Sequence, residues 1–285
     1  MRIGAHLRRQ GREGIHGALE ATIERGADCA QLFISNARAW AGPRVSDEDA
    51  ATFRAAWEAS DLGPVVAHAP YLVNIASPNP EFLEKSRALA VASAQACDRL
   101  GVGVLVLHAG AGGPGEPSEA LERAAETLRI AAGAARDVRV SIELMAGTAG
   151  AVASLLPEAA RLFEAAGVDE VGLVLDTCHL FAAGYELDTP GGAGALVQEL
   201  GAQGLTERLA LIHANDSKFP RGERRDRHEN IGDGFIGEAG WRAILAEPVL
   251  TGVPLILETP ADADRHREDI AKLRAWASAE EPGGA

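Results

Sequence analysis

Short apolar runs recur along this chain, and most of them stop at a histidine or an acidic residue. VVAHAP carries His68, VLVLHAG carries His108, VSIELMAG carries Glu143, VGLVLDTCHL carries Asp176 and His179, LALIHANDS carries His213, and VPLILETP carries Glu258. Uninterrupted runs of this kind suit strands buried on both faces, as in parallel sheets covered by helices. Between the runs the pattern turns helical. GIHGALEATIERG closes on a glycine, Ser46 precedes an acidic first turn, and Pro80 opens a helix that Gly101 follows. With MRIGAHL and CAQLFIS as the first two strands, eight strand-helix units fill the 285 residues. That is the arithmetic of a (β/α)8 TIM barrel, expected as a single domain over residues 1–285 because no Pro-, Gly- or Ser-rich linker divides it. A doubly wound open sheet is the alternative, but it would spread its strand tips along a line. A barrel brings every C-terminal strand end to one mouth. The tail EPGGA is expected to fray.

At 47% hydrophobic and 24% charged residues the composition is that of a globular protein. No apolar run reaches the length of a membrane span, and the start reads directly as a strand, so a cytoplasmic protein without membrane association is expected. Cys29, Cys97 and Cys178 show no paired spacing, which fits a reducing compartment. Cys178 lies between Asp176 and His179 and could ligate a metal. If the segment is strand, however, neighbours point to opposite faces and a buried thiol is the expectation.

Taken singly, each strand-end His reads as a hydrogen-bonded residue and each carboxylate as a helix cap. Collectively that reading fails. With Asp226 and His228 from the segment DRH, five His and four acidic residues occupy the ends of strands three to eight or the loop after the seventh. The chain has only eight His. His16 and His266 lie on predicted helices and are expected to be solvated; His6 ends the first strand and is expected to line the mouth beside the ligands or to contact phosphate. Imidazoles and carboxylates suit zinc, with manganese or iron as rivals. Nine ligands at about three per ion imply two or three ions, with Glu143 or Glu258 as the carboxylate able to bridge two of them. Such centres activate water and stabilise the entering and leaving oxygens of a phosphoryl displacement, which points to phosphoester hydrolysis.

The segments HAPYLVNIASP (68–78), LDTCHLFAAGY (175–185), HANDSK (213–218), DRHENIGDGFIG (226–237) and PLILETP (254–260) follow one another in an order specific to one family. Through them the chain resembles the endonuclease IV family of apurinic/apyrimidinic endonucleases, nearly end to end. The resemblance implies a barrel with three zinc ions that cuts double-stranded DNA 5′ to an abasic site and leaves a 3′-hydroxyl. It also implies that His68 and His108 hold a first zinc, with Glu143 bridging to a second that Asp176, His213 and Glu258 complete. His179, Asp226 and His228 would hold the third. Glu143 and Glu258 are the expected catalytic carboxylates, and a monomer is expected.

The family inserts side chains into DNA at the lesion, and Arg38, Trp40 and Tyr71 match those positions. An abasic nucleotide costs less unstacking to flip, and a Tyr and an Arg can fill the space it leaves. Ordinary packing is the plain alternative for Tyr71 and Trp40. Lys218, Arg221, Arg224, Arg225 and Arg227 form a basic loop that could meet phosphates despite a net charge of −14, part of which a metal cluster would neutralise. The chain departs from the family at His6-Leu7-Arg8-Arg9, at His108-Ala109-Gly110 and at Glu143-Leu144-Met145, so its groove walls are expected to differ. Two other functions compete. A sugar isomerase or epimerase on the related barrel would need fewer ions, and His179, Asp226 and His228 argue against it. A damage-binding protein without activity would have no need of an open metal position.

Overall fold

The computed structural model describes residues 1–7, 15–260 and 262–278. In chain order the elements are β1 (Ile3–Leu7), α1 (His16–Glu24), β2 (Cys29–Phe33), α2 (Asp47–Glu58), β3 (Val65–His68), α3 (Pro80–Leu100) and β4 (Val104–His108). They continue with α4 (Pro117–Ala132), β5 (Arg139–Glu143), α5 (Leu156–Ala166), β6 (Gly172–Asp176), α6 (Thr177–Ala183), α7 (Gly192–Ala202) and β7 (Leu209–His213). The chain ends with β8 (Asp216–Ser217), β9 (His228–Glu229), α8 (Gly237–Leu245), α9 (Pro248–Thr251), β10 (Leu255–Leu257) and α10 (Ala263–Ser278). Eight strands close into a parallel barrel in the order β1-β10-β7-β6-β5-β4-β3-β2. The two-residue strands β8 and β9 pair antiparallel outside it.

Strand alternation divides the core in two. Residues such as Ile3, Leu32, Leu105, Ile142, Leu173 and Leu257 point outward and pack against the helices. Cys29, Val66, Val106, Val174, Leu211 and Ile256 point inward and fill the barrel as a separate cluster. Gly4 is the inward residue of β1, where a Cβ would lie 2.1 Å from the Cys29 carbonyl oxygen, so only glycine fits that close approach.

The helix signals read from the sequence are realised locally. The Ser46 side chain accepts the Asp49 N–H, and Asp49 reaches back to complete a capping box. Pro80 opens α3, and Gly101 closes it at φ 73°, in the left-handed region. Three segments differ from expectation. The run VGLVLDTCHL, read as one strand, passes into α6 after Asp176, because the Asp176 side chain caps the helix by accepting the His179 N–H at 3.0 Å. His266 is buried at 5% exposure instead of solvated, since it shares the inward face of α10 with Asp269, Ile270 and Leu273. Arg25 Nε donates to His266 Nδ1 at 3.3 Å. The hairpin β8–β9 was not expected. The side chain of His16, the first-loop residues Arg8 and Arg9, and the tail EPGGA lie outside the described residues. Among the described residues no helix is long and apolar enough to cross a membrane.

Candidate metal centre

Each inward core residue is followed, two positions on, by a polar residue on the same face of its strand. Gly4 leads to His6, Cys29 to Gln31, Val66 to His68, Val106 to His108, and Ser141 to Glu143. Val174 leads to Asp176, Leu211 to His213, and Ile256 to Glu258. The register sets His6 level with Gln31, His108 with Glu143 and Asp176 with His213. It steps by two residues from β2 to β3, β3 to β4, β5 to β6 and β7 to β10, as the tilt of barrel strands requires. A ring of eight polar side chains therefore stands directly above the apolar barrel interior. Six of them are sequence-predicted ligands.

The other three predicted ligands reach the ring from above. His179 comes from the first turn of α6, Asp226 from the segment before β9, and His228 from β9. The nine donors then fall into three groups, each with its donor atoms within 4.8 Å of one another. His68, His108 and Glu143 make one, Glu143, Asp176, His213 and Glu258 the next, and His179, Asp226 and His228 the last. Glu143 belongs to two groups. Its Oε2 lies 3.1 Å from His68 Nε2 and 3.3 Å from His108 Nε2, while its Oε1 lies 3.2 Å from His213 Nδ1. In the outer group Asp226 stands between His179 Nε2 at 3.3 Å and His228 Nε2 at 3.2 Å.

The imidazoles are turned with one nitrogen outward. His68 Nδ1 donates to the Ala69 carbonyl at 2.6 Å, His179 Nδ1 to Leu144 at 2.9 Å, and His228 Nδ1 to Glu258 at 3.2 Å. Fixing one nitrogen this way leaves the other as a lone pair facing the centre, the arrangement metal-binding histidines adopt. Glu143 Oε1, His213 Nδ1 and His228 Nε2 are buried and have no hydrogen-bond partner. Buried polar atoms are costly to leave unmatched, so these point to divalent cations as the groups the centre is built to hold. Cys178 joins Asp176 and His228 in a further cluster. Burial pushes its thiol up to about 12, and its Sγ is directed at the Arg227 carbonyl at 3.6 Å. It is a buried thiol as expected, but it lies on a helix, so strand alternation is not the reason.

Mutual charge organises the ring. Burial by itself would raise the Glu143 carboxyl, yet His213 and His108 hold it well below the usual carboxylate range. Burial would likewise lower His213, but Glu258 and Glu143 raise it to about 9. His228 rises to about 9 against burial through Asp176 and Asp226. His6, which the sequence placed beside the ligands, donates from Nδ1 to Glu258 Oε1 at 2.5 Å. Gln31 is the ring member that reading by residue type passed over. A two-residue period counted along the strand would have found it, because it follows Cys29 on the inward face of β2 as His68 follows Val66 on β3.

Above the ring a cavity of about 560 Å³ is lined by His6, Phe33, Tyr71, Arg227, His228 and Glu258. Tyr71 is 54% exposed and rests edge-on against Phe33, with ring centroids 5.1 Å apart. Arg38 is exposed, and Trp40 stacks on Phe82 at the rim. Lys218 and Arg227 are exposed on the basic loop, which is docked on α6 by Gly222 and Arg224 N–H groups donating to Phe181 and Ala182. Arg221 is paired with Glu186 and Asp188. Among the described residues no carboxylate forms an ion pair with Lys218, Arg224, Arg225 or Arg227.

Residues 19–276 match the family described as the xylose isomerase-like TIM barrel. The probable endonuclease 4 of Methanoculleus marisnigri is 39% identical, over 97% of this chain and 99% of its own. That of Thermotoga neapolitana is 35% identical over 96% of each. The crystal structure of endonuclease IV from Thermus thermophilus superimposes with a TM-score of 0.87 at 32% identity, covering 98% of this chain and all of the other. A D-tagatose 3-epimerase-like protein reaches a TM-score of 0.74 at 16% identity, a likeness of fold alone. With barrel, ring and relatives in agreement over nearly its whole length, the chain belongs to the endonuclease IV family.

Proposed function

We propose that this protein is a zinc-dependent apurinic/apyrimidinic endonuclease that hydrolyses the DNA phosphodiester 5′ to an abasic site and leaves a 3′-hydroxyl. The observation that carries the reading is the convergence of nine donors in three groups, two of which share Glu143. Imidazole and carboxylate donors without thiolate suit zinc, with manganese or iron as rivals. Divalent ions there would bring the pKa of a water to about 7 and neutralise charge on the phosphate.

The chain's own part is positioning and charge. Glu143 turns one oxygen to His68 and His108 and the other to His213, so it can orient a water between the first two groups. Glu258 faces the second group and the cavity, beside the leaving oxygen in this reading. The attack is by water, with no covalent enzyme intermediate. Tyr71 and Arg38 stand at the rim to fill the gap left by a missing base, with Trp40 beside them. Lys218 and Arg227 meet the phosphate backbone. The outer group of His179, Asp226 and His228 favours this over sugar isomerisation, where fewer ions suffice.

The direct test is incision of a duplex carrying one abasic site, with the ions per chain counted on the same preparation. About three ions and a nick leaving a 3′-hydroxyl are expected. A single ion with ketose-aldose interconversion would replace this reading with the isomerase.

A further inference from the structure

Two members of the polar ring, His6 and Gln31, are not ligand candidates. Gln31 is fully buried on β2. Its Nε2 donates to Glu258 Oε1 at 2.7 Å, and its Oε1 lies 2.8 Å from His213 Nε2. The orientation of the amide follows from chemistry: only its NH2 can face a carboxylate, so its oxygen faces the imidazole. His213 must then carry its proton on Nε2 and donate it to Gln31. Once the second proton is given up to a cation, the lone pair lies on Nδ1, which is buried without a hydrogen-bond partner, 3.2 Å from Glu143 Oε1 and 3.6 Å from Glu258 Oε2. The same amide, with His6 Nδ1 beside it, occupies Glu258 Oε1 and leaves Oε2 to the centre.

We propose that Gln31 is a positioning residue of the second donor group. One amide selects both the nitrogen of His213 and the oxygen of Glu258 that face the ion. The other three tautomer-fixing contacts use backbone carbonyls, which can only accept. Here the partner must accept from an imidazole and donate to a carboxylate at once. A carboxylate in its place would serve His213 but repel Glu258, and an aliphatic side chain would do neither. The inference rests on the metal-centre reading of the function.

The test compares zinc-loaded wild type with Gln31→Met and Gln31→Glu. Two quantities are read: release of each ion to a colorimetric chelator, and the imidazole nitrogen resonances of His213, assigned with His213→Asn. In wild type His213 should show a protected Nε2–H. Gln31→Met should expose that proton to exchange and release one ion about tenfold or more faster, with the other ions unchanged. Gln31→Glu should keep the His213 proton but still release that ion faster, because Glu258 is repelled. Unchanged release in both variants would overturn the proposal, as would equal acceleration for every ion, which marks general loosening. If Gln31→Met does not fold, Gln31→Glu, of nearly equal volume, decides alone: the imidazole proton must be retained and the single ion lost. Wild type that holds its ions but fails to nick abasic duplex would sink the proposed activity and leave these metal measurements standing as the judge of Gln31.

Discussion

Asp176 Oδ1 accepts the backbone N–H of His179 at 3.0 Å, so the residue that ends β6 also begins α6. Its Oδ2 accepts from Asn215 Nδ2 at 2.7 Å and lies 3.5 Å from His228 Nε2. One carboxylate therefore caps a helix, faces the second donor group, and aims His179 into the third. Asp176→Asn retains an oxygen for the cap but turns its NH2 toward Asn215 Nδ2, so the fold should survive with a loss of about 1–3 kcal/mol. It should nevertheless hold fewer ions. Urea unfolding in chelator and elemental analysis of the untreated protein check the two halves. A full complement of ions in Asp176→Asn would remove Asp176 from the ligands.

The proposed DNA contacts predict a selective loss. Tyr71→Ala and Arg38→Ala should weaken binding to abasic duplex more than to intact duplex, because filling a gap contributes only where a base is missing. The expected difference is about 1–3 kcal/mol, the scale of one base-stacking contact. Competition binding with both duplexes at fixed salt reads it. Equal losses on the two would make these residues packing or general phosphate contacts.

Ions and protons compete for the ring. Against burial, the surrounding carboxylates raise His213 and His228 to about 9 each. In protein stripped by a chelator both imidazoles therefore hold protons at neutral pH, and zinc must displace them. Apparent zinc affinity should rise from pH 6.5 to about 9, by about tenfold per unit for each proton displaced. The stripped fold should behave oppositely. Its gain from the two charged imidazoles is complete below 6.5 and is lost as pH rises through about 9. Calorimetry in buffers of different ionisation enthalpy counts the released protons. An affinity that stays flat across this range would contradict the charge arrangement.

His266 predicts acid sensitivity away from the centre. Burial, aided by the Arg25 guanidinium, holds its pKa below the ordinary 6.5. Its contribution is present above 6.5 and is lost as pH falls through its folded pKa, where the unfolded chain binds the proton more readily. His266→Gln cannot titrate, so chelator-stripped His266→Gln should lose less stability than stripped wild type between about pH 6.5 and 5. Urea midpoints at the two pH values give the comparison, and identical pH dependence would mean that His266 binds its proton equally well folded and unfolded.

Much of this was legible in the chain. Alternation of apolar runs with capped helices marked parallel strands covered by helices, and the gathering of polar residues at so many strand ends marked the barrel over an open sheet. The candidate ligands were legible because His, Asp and Glu at the end of such runs are chemically out of place. Helix α6 was not, since TCHLFA is buried on every side and carries no amphipathic period to separate it from strand. The hairpin β8–β9 is too short to leave a pattern. Gln31 was overlooked because a neutral amide inside an apolar run carries no sign of charge or ligation; only its place in the period marks it. His266 could have been found: 266, 269, 270 and 273 are the helical spacing of one buried face.

Glu143→Gln is the decisive substitution for the proposal that Glu143 joins two metal groups and orients the attacking water. The substitution removes charge with little change of volume, so the barrel should fold and abasic duplex should still bind. Single-turnover cleavage, with metal content and DNA affinity measured on the same preparation, is the measurement. Cleavage should fall by about three orders of magnitude or more, since both water orientation and charge stabilisation are compromised. Near-wild-type cleavage by a folded, metal-loaded Glu143→Gln would mean that the Glu143 carboxylate neither joins the two groups nor orients the water.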